Sequence, residues 1–241
     1  MSLFGVKPVS SENPVCGVVI AAAGSSERMQ GTDKLTALLA GKPVLARAIQ
    51  PFQDCSLVGE IVVVARPDRV EEFTALCREN GLSKVTKVVP GGDERTDSVL
   101  AGLKALSHKM RLAAVHDGAR PLVTGALVEA LIRRGDACAA VAPALPVTDT
   151  VKIAEENRVT DTPDRENLRT VQTPQVFDRG LLEGALTKAK RAGQTCTDDC
   201  RAMELLGKTV YLLEGERENI KITAPSDLIV AAALWEARQC E

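Results

Sequence analysis

Three stretches of the chain carry residues whose types and spacing suit work on phosphate. The first is Ala21-Ala22-Ala23-Gly24-Ser25-Ser26-Glu27-Arg28-Met29-Gln30-Gly31-Thr32-Asp33-Lys34, which follows the apolar run Val15-Cys16-Gly17-Val18-Val19-Ile20. A buried strand that breaks into Ala, Gly and Ser and then presents Arg and Lys reads as an anion-binding loop, here a nucleotide site. Small side chains let main-chain N–H groups approach phosphate oxygens, while Arg28 and Lys34 supply charge for a triphosphate's transition state. Taken alone, the same loop could simply turn a strand into a helix. It matches neither GxxxxGK[ST] nor GxGxxG. The second stretch is His116-Asp117-Gly118-Ala119-Arg120-Pro121, where polar groups begin abruptly after the apolar Leu112-Ala113-Ala114-Val115. Asp117 is positioned to help hold Mg2+, which takes one or two protein carboxylates beside substrate phosphates; a loop ion pair between Asp117 and Arg120 is the plainer alternative. His116 is given no chemical part. The third is Glu218-Asn219-Ile220-Lys221-Ile222-Thr223, in which a lysine inside an apolar run suggests a phosphate ligand.

Elements that position these residues follow from the hydrophobic pattern. Residues 60–65 form a second continuous apolar run and 84–89 a third strand; 43–52 and 68–80 have helical spacing, the latter stopped by Gly81. Runs that do not alternate require a parallel sheet covered on both faces. The expected fold is therefore a doubly wound α/β sheet, with ligands beyond the carboxyl ends of its strands. Residues 90–103 are a glycine turn feeding an amphipathic helix. Asp93 could cap that helix; alternatively Gly91 and Gly92 let the main chain read a pyrimidine edge, with Asp93 and Ser98 adding polar contacts. A helix over 124–135 and a strand over 137–145 come next. Residues 146–170 then turn polar and alternate, as a two-stranded arm that needs a partner to be ordered. Residues 172–177 close the arm; helices follow over 178–192 and from a Thr197-Asp198-Asp199 cap to Leu206, then a strand over 209–213 and a last helix opened by Pro225.

Composition narrows the function. At 241 residues and 45% hydrophobic content the chain can form one domain, 1–241, with 146–170 as its arm. A net charge of −2 gives no basic face for nucleic acid, and 2% aromatic residues argue against a sugar-stacking cleft or a single-strand platform. The seven cysteines lack the spacing of a metal site and read as reduced thiols. With no leader-like start and no apolar stretch of about 18 residues, the expected location is cytoplasmic, with no membrane partner. Only two histidines are present, and no Ser-His-Asp or Cys-His arrangement is visible.

The first loop, continued into Gly41-Lys42-Pro43, resembles that of the sugar-phosphate nucleotidyltransferases, with Ser26 where a second glycine is common and one residue fewer between Arg28 and Lys34. Gly91-Gly92-Asp93-Glu94-Arg95-Thr96-Asp97-Ser98-Val99 resembles the cytidylyltransferase branch. Val115-His116-Asp117-Gly118-Ala119-Arg120-Pro121, Gln172-Thr173-Pro174-Gln175-Val176-Phe177 and Asn219-Ile220-Lys221-Ile222-Thr223 resemble motifs of the 2-C-methyl-D-erythritol 4-phosphate cytidylyltransferases. The resemblance spans roughly 15–234. It implies cytidylyl transfer from CTP to a polyol phosphate, with Mg2+, in a homodimer. By it, Arg28, Lys34 and Lys221 are catalytic, and Ala22, Ala23, Gly24, Gly92, Asp93, Ser98 and Asp117 hold the nucleotide, Asp117 also binding metal. Thr150, Arg165, Thr173 and Thr197 hold the polyol phosphate, Arg165 acting across the dimer from the arm. Ribitol 5-phosphate cytidylyltransferases share these nucleotide motifs and remain an alternative, as does a nucleotide-binding regulator without turnover.

Overall fold

A run such as Val18-Val19-Ile20 has no polar side, so it is stable only where both faces are covered. The computed structural model, which describes residues 15–24 and 33–239, provides both covers. The loop 25–32, with Arg28, lies outside the described residues.

The chain begins with β1 (Cys16–Ala22), the short strands β2 (Leu38–Leu39) and β3 (Lys42–Pro43), α1 (Val44–Asp54), β4 (Val58–Ala65), α2 (Val70–Glu79) and β5 (Val85–Pro90). It continues with α3 (Arg95–Ala105), β6 (Leu112–Asp117), α4 (Gly125–Cys138), β7 (Ala140–Pro146), β8 (Ile153–Glu155), β9 (Arg158–Asp161) and β10 (Arg169–Val171). Last come β11 (Gln175–Asp178), α5 (Arg179–Arg191), α6 (Asp199–Leu205), β12 (Tyr211–Glu214) and α7 (Pro225–Gln239).

β1 runs parallel to β4 on one side and to β6 on the other, and β5 extends the sheet in parallel beyond β4. Side chains alternate across a strand. Cys16, Val18, Ile20 and Ala22 therefore enter one core cluster with Ile49 and Phe52 of α1, while Val19 enters the other with Val99 and Leu103 of α3. On β6, Leu112 and Ala114 join the first cluster, and Ala113 and Val115 the second. Carried two residues further, this alternation turns His116 toward α1, its ring 5.0 Å from that of Phe52, and Asp117 toward α3.

The sheet is mostly parallel, as expected, but β10 and β11 run antiparallel and make it mixed. β11 enters antiparallel between β6 and β7, so residues 172–177 lead into an interior strand rather than merely closing the arm. β10 and β11 follow the same edge of β7: Val171 pairs with Ala144 and Val176 with Val141, five steps against three. That slack frees Thr173 and Pro174 from the ladder beside the carboxyl end of β6.

α3 lies close to the sheet because residue 102 is glycine. A Cβ there would stand 2.4 Å from Cγ1 of Val19 and 2.9 Å from Cγ2 of Val64. The helix is entered through Glu94, not capped by Asp93. Among the described residues β8 and β9 pair only with each other, around a turn at Glu156 and Asn157, and every residue of both is exposed. Among the described residues, no helix is long and apolar enough to cross a membrane.

Candidate functional site

Beyond the carboxyl ends of β1, β4 and β6 lies a pocket of about 460 Å³, within the usual size for a small-molecule site. Ala22, Ala23, Gly24, Lys34, Gly92, Asp93, Ser98, Asp117 and Lys221, nine of the residues singled out by sequence, line it together. Main chain reaches the pocket because neighbouring residues are small: a Cβ at Gly91 would stand 2.6 Å from Oγ of Ser98 and 2.9 Å from Cβ of Ala23. Lys34 is set in a turn whose neighbour Asp33 accepts the Leu35 N–H at 2.8 Å and pairs with Arg69 of the segment after β4.

Asp117 is the electrostatic centre. Its Oδ1 is 3.0 Å from Nη1 of Arg95, and its Oδ2 is 2.9 Å from Nζ of Lys221 and 3.6 Å from Nε of Arg120. Burial alone would raise its pKa, but Arg95, then Lys221 and Arg120, outweigh it and hold the carboxyl well below the usual carboxylate range. Arg95 also binds Oδ2 of Asp199 at 2.7 Å through Nη2, while burial raises the pKa of Asp199 despite that partner. Lys221 is not in a strand. The Ile222 N–H donates to the Ala119 carbonyl at 2.8 Å, which tacks this segment to the loop after β6 with Ile222 buried and Lys221 turned outward.

The motif at 172–175 places its polar side chains between these groups. Thr173 Oγ1 accepts the Asp117 N–H at 3.0 Å and donates to Nδ1 of His116 at 3.0 Å; His116 Nε2–H donates to the Arg120 carbonyl at 3.2 Å. Both imidazole nitrogens are thus engaged in the neutral ring. Burial, the leading cause, brings the His116 pKa down to about 4. Gln172 donates to the Glu216 carbonyl at 2.8 Å, and Gln175 accepts the N–H groups of Asp199 and Cys200 at 3.2 Å each. Asn219, fully buried, donates to the Thr173 carbonyl at 2.9 Å, and its own carbonyl accepts from Nη1 of Arg120 at 2.6 Å.

The remaining expected residues among those described do not line the pocket. Thr150 and Arg165 are exposed on the arm, where Arg165 Nη1 donates to the Thr148 carbonyl at 3.1 Å; Thr197 is exposed ahead of α6. Thr173 is buried behind Asp117. Arg66, Glu94 and Arg95 line the pocket without having been assigned a role from sequence. Arg95 did carry a signal: a cation in the first turn of a helix opposes the helix dipole, so it needs specific anionic partners.

Glycine-lined main chain, lysines and one ionised carboxylate at the strand ends of an α/β sheet define a nucleotidyltransferase. The family model for IspD, 2-C-methyl-D-erythritol 4-phosphate cytidylyltransferase, matches residues 16–237, and the chain belongs to that family. A Caldanaerobacter subterraneus relative with that name is 43% identical over 88% of this chain and 95% of its own. One from Halalkalibacterium halodurans is 42% identical over 92% and 97%. Among solved structures, the 4-diphosphocytidyl-2C-methyl-D-erythritol synthase of Anaerococcus prevotii superposes with a TM-score of 0.81 at 29% identity, over 92% of this chain and 96% of that one. The Thermus thermophilus cytidylyltransferase gives 0.75 at 33% identity, over 95% and 100%.

Because the folded-state pKa of His116 is lowered, its contribution to stability is present above the unfolded value near 6.5 and is lost as pH falls toward about 4. Urea unfolding at pH 7 and pH 4.5 should show a loss of about 2–3 kcal/mol that His116→Gln largely removes. An equal loss in the variant would assign the acid sensitivity to another group.

Proposed function

We propose that this chain transfers the cytidylyl group of CTP to 2-C-methyl-D-erythritol 4-phosphate and releases pyrophosphate, the isoprenoid-biosynthetic reaction for which its family is named. The observation that carries the mechanism is the pairing of Lys221 with Asp117 in the pocket lined by Lys34, Gly92 and Ser98. An acceptor phosphate, with a second pKa near 6, is already an anionic nucleophile at neutral pH. Its oxygen forms a bond to the α-phosphorus as the bond from that phosphorus to the pyrophosphate oxygen breaks. No protein base is required, and His116, with both nitrogens engaged, is not needed as one. What the protein must supply is in-line placement and neutralisation of charge on the transferring phosphoryl oxygens. Lys34 and Lys221 are assigned that work, with Arg28 as the further cation the sequence offers. Main chain at Gly92 and the hydroxyl of Ser98 are assigned to the cytosine, and Asp93 to the nucleotide beside them.

Asp117 suits a magnesium ion: it is ionised, and the ammonium on its Oδ2 belongs to a half-exposed lysine that can exchange. With three cations already around that carboxylate, Mg2+ would be held there together with triphosphate oxygens rather than ahead of them, and would neutralise charge on those oxygens. Thr150 and Arg165 are assigned to the polyol phosphate of a second subunit and Thr197 to that of its own chain; Thr173, buried with its hydroxyl shared between the Asp117 N–H and His116, is assigned to holding Asp117 in place instead. The arm supports a homodimer, since Ile153 and Val159 are 49% and 60% exposed on a hairpin that pairs with nothing else among the described residues. A cytoplasmic location belongs to the same proposal and is supported by the six described cysteines being free thiols.

Incubation with CTP and 2-C-methyl-D-erythritol 4-phosphate should release pyrophosphate with a higher kcat/KM than incubation with CTP and ribitol 5-phosphate; the reverse order would reassign the acceptor. Mixing inactive Arg165→Ala chains with inactive Lys34→Ala chains should restore activity, because one site of each heterodimer then has both residues. No recovery in verified heterodimers would place Arg165 in its own subunit's site or outside catalysis.

A further inference from the structure

Arg95 stands between two carboxylates that differ in what else they touch. Asp117 lines the pocket and shares its Oδ2 with Lys221, whose side chain is 42% exposed. Asp199 is buried at the start of α6, outside the pocket lining. Its main-chain N–H is held by Gln175, a buried residue of β11, whose Nε2 also donates to Oδ2 of Asp198 at 3.0 Å. The guanidinium is thus anchored from the sheet interior through Asp199 and presents its other nitrogen to Oδ1 of Asp117. A planar fork spans two acceptors in fixed directions, which a single ammonium cannot do.

On the proposed reaction, on which this reasoning rests, Lys221 must turn from Asp117 to a substrate phosphate. Asp117 then loses one of the cations that keep it ionised and oriented. An unanchored Arg95 could follow its carboxylate or swing toward the incoming phosphates; an Arg95 tied to Asp199 can do neither. We infer that Asp199, acting through the Arg95 fork, is a positioning residue that holds Asp117 in place while Lys221 exchanges the carboxylate for a substrate phosphate. Its effect falls on the transition state, since Lys34, Gly92, Asp93 and Ser98 still hold CTP when the Asp117 carboxylate is misaligned.

Steady-state kinetics per active site, with Tm measured alongside, test this. Asp199→Ala should lower kcat by about 10- to 100-fold with KM for both substrates within about threefold, the pattern of an interaction that matters only in the transition state. Asp199→Asn still offers Nη2 an oxygen and should recover about tenfold of that loss. Arg95→Lys keeps the charge but cannot span both carboxylates, and should lower kcat as Asp199→Ala does. Wild-type kcat in Arg95→Lys would overturn the inference, as would a change in Asp199→Ala confined to KM or to the folded fraction. If Asp199→Ala does not fold, Arg95→Lys decides the matter. Failure of the wild-type protein to turn over CTP would instead sink the functional reading beneath it.

Discussion

A carboxylate at the end of a buried strand stays ionised only if cations stand against it, and Asp117 imposes that requirement on the rest of the molecule. Leaving such a charge without its partners costs several kcal/mol, so the groups around it are fixed as a set rather than one at a time. Arg95 comes from α3, Arg120 from the loop after β6, and Lys221 from a segment about a hundred residues later in the chain. A site assembled this way already holds its positive charge where a triphosphate would come to rest. Once Lys221 has turned from Asp117 to a substrate phosphate, little reorganisation remains for the chemical step, which is the condition under which electrostatic stabilisation is most effective.

The fold meets the requirement through two simple periodicities. Alternation along β6 turns His116 into the α1 face as a neutral, fully hydrogen-bonded core residue, and turns the next side chain, Asp117, toward α3 and its arginine. The slip between β10 and β11 then releases Thr173 from the ladder so that its hydroxyl meets both residues. Gln172 and Gln175 on either side secure the segment before Lys221 and the start of α6. One short stretch at the root of the arm therefore sets several parts of the pocket, and a substitution there would disturb them together.

Much of this was legible in the residues. Continuous apolar runs located β1, β4 and β6, because burial on both faces leaves no other pattern; residue type marked the loop after β1, the glycine turn at 91–92 and Asp117, and the family resemblance supplied the roles of the nine residues that line the pocket. Lys221 stood out as a cation between Ile220 and Ile222. Interior pairing was not legible: 172–177 read as the end of an arm because Gln, Thr and Pro give no strand signal, and only the register with β6 and β7 makes it an inner strand. Asp199 read as a helix cap, although Asp198 fills that role and Asp199 turns to Arg95. Contacts that close across a hundred residues leave no local periodicity to read. Arg66 differs: it directly follows β4, so the rule that ligands sit beyond the carboxyl ends of parallel strands would have pointed to it.

The central claim is that charges arranged around Asp117 act on the transition state and do more than anchor the nucleotide. Lys221→Ala, assayed with CTP and 2-C-methyl-D-erythritol 4-phosphate at saturating magnesium, tests it most directly. A fall in kcat of order 10²–10³ with KM for CTP within a few-fold is the predicted result. A raised KM with kcat nearly unchanged would mean that Lys221 grips the triphosphate equally in ground and transition states, and would contradict the account.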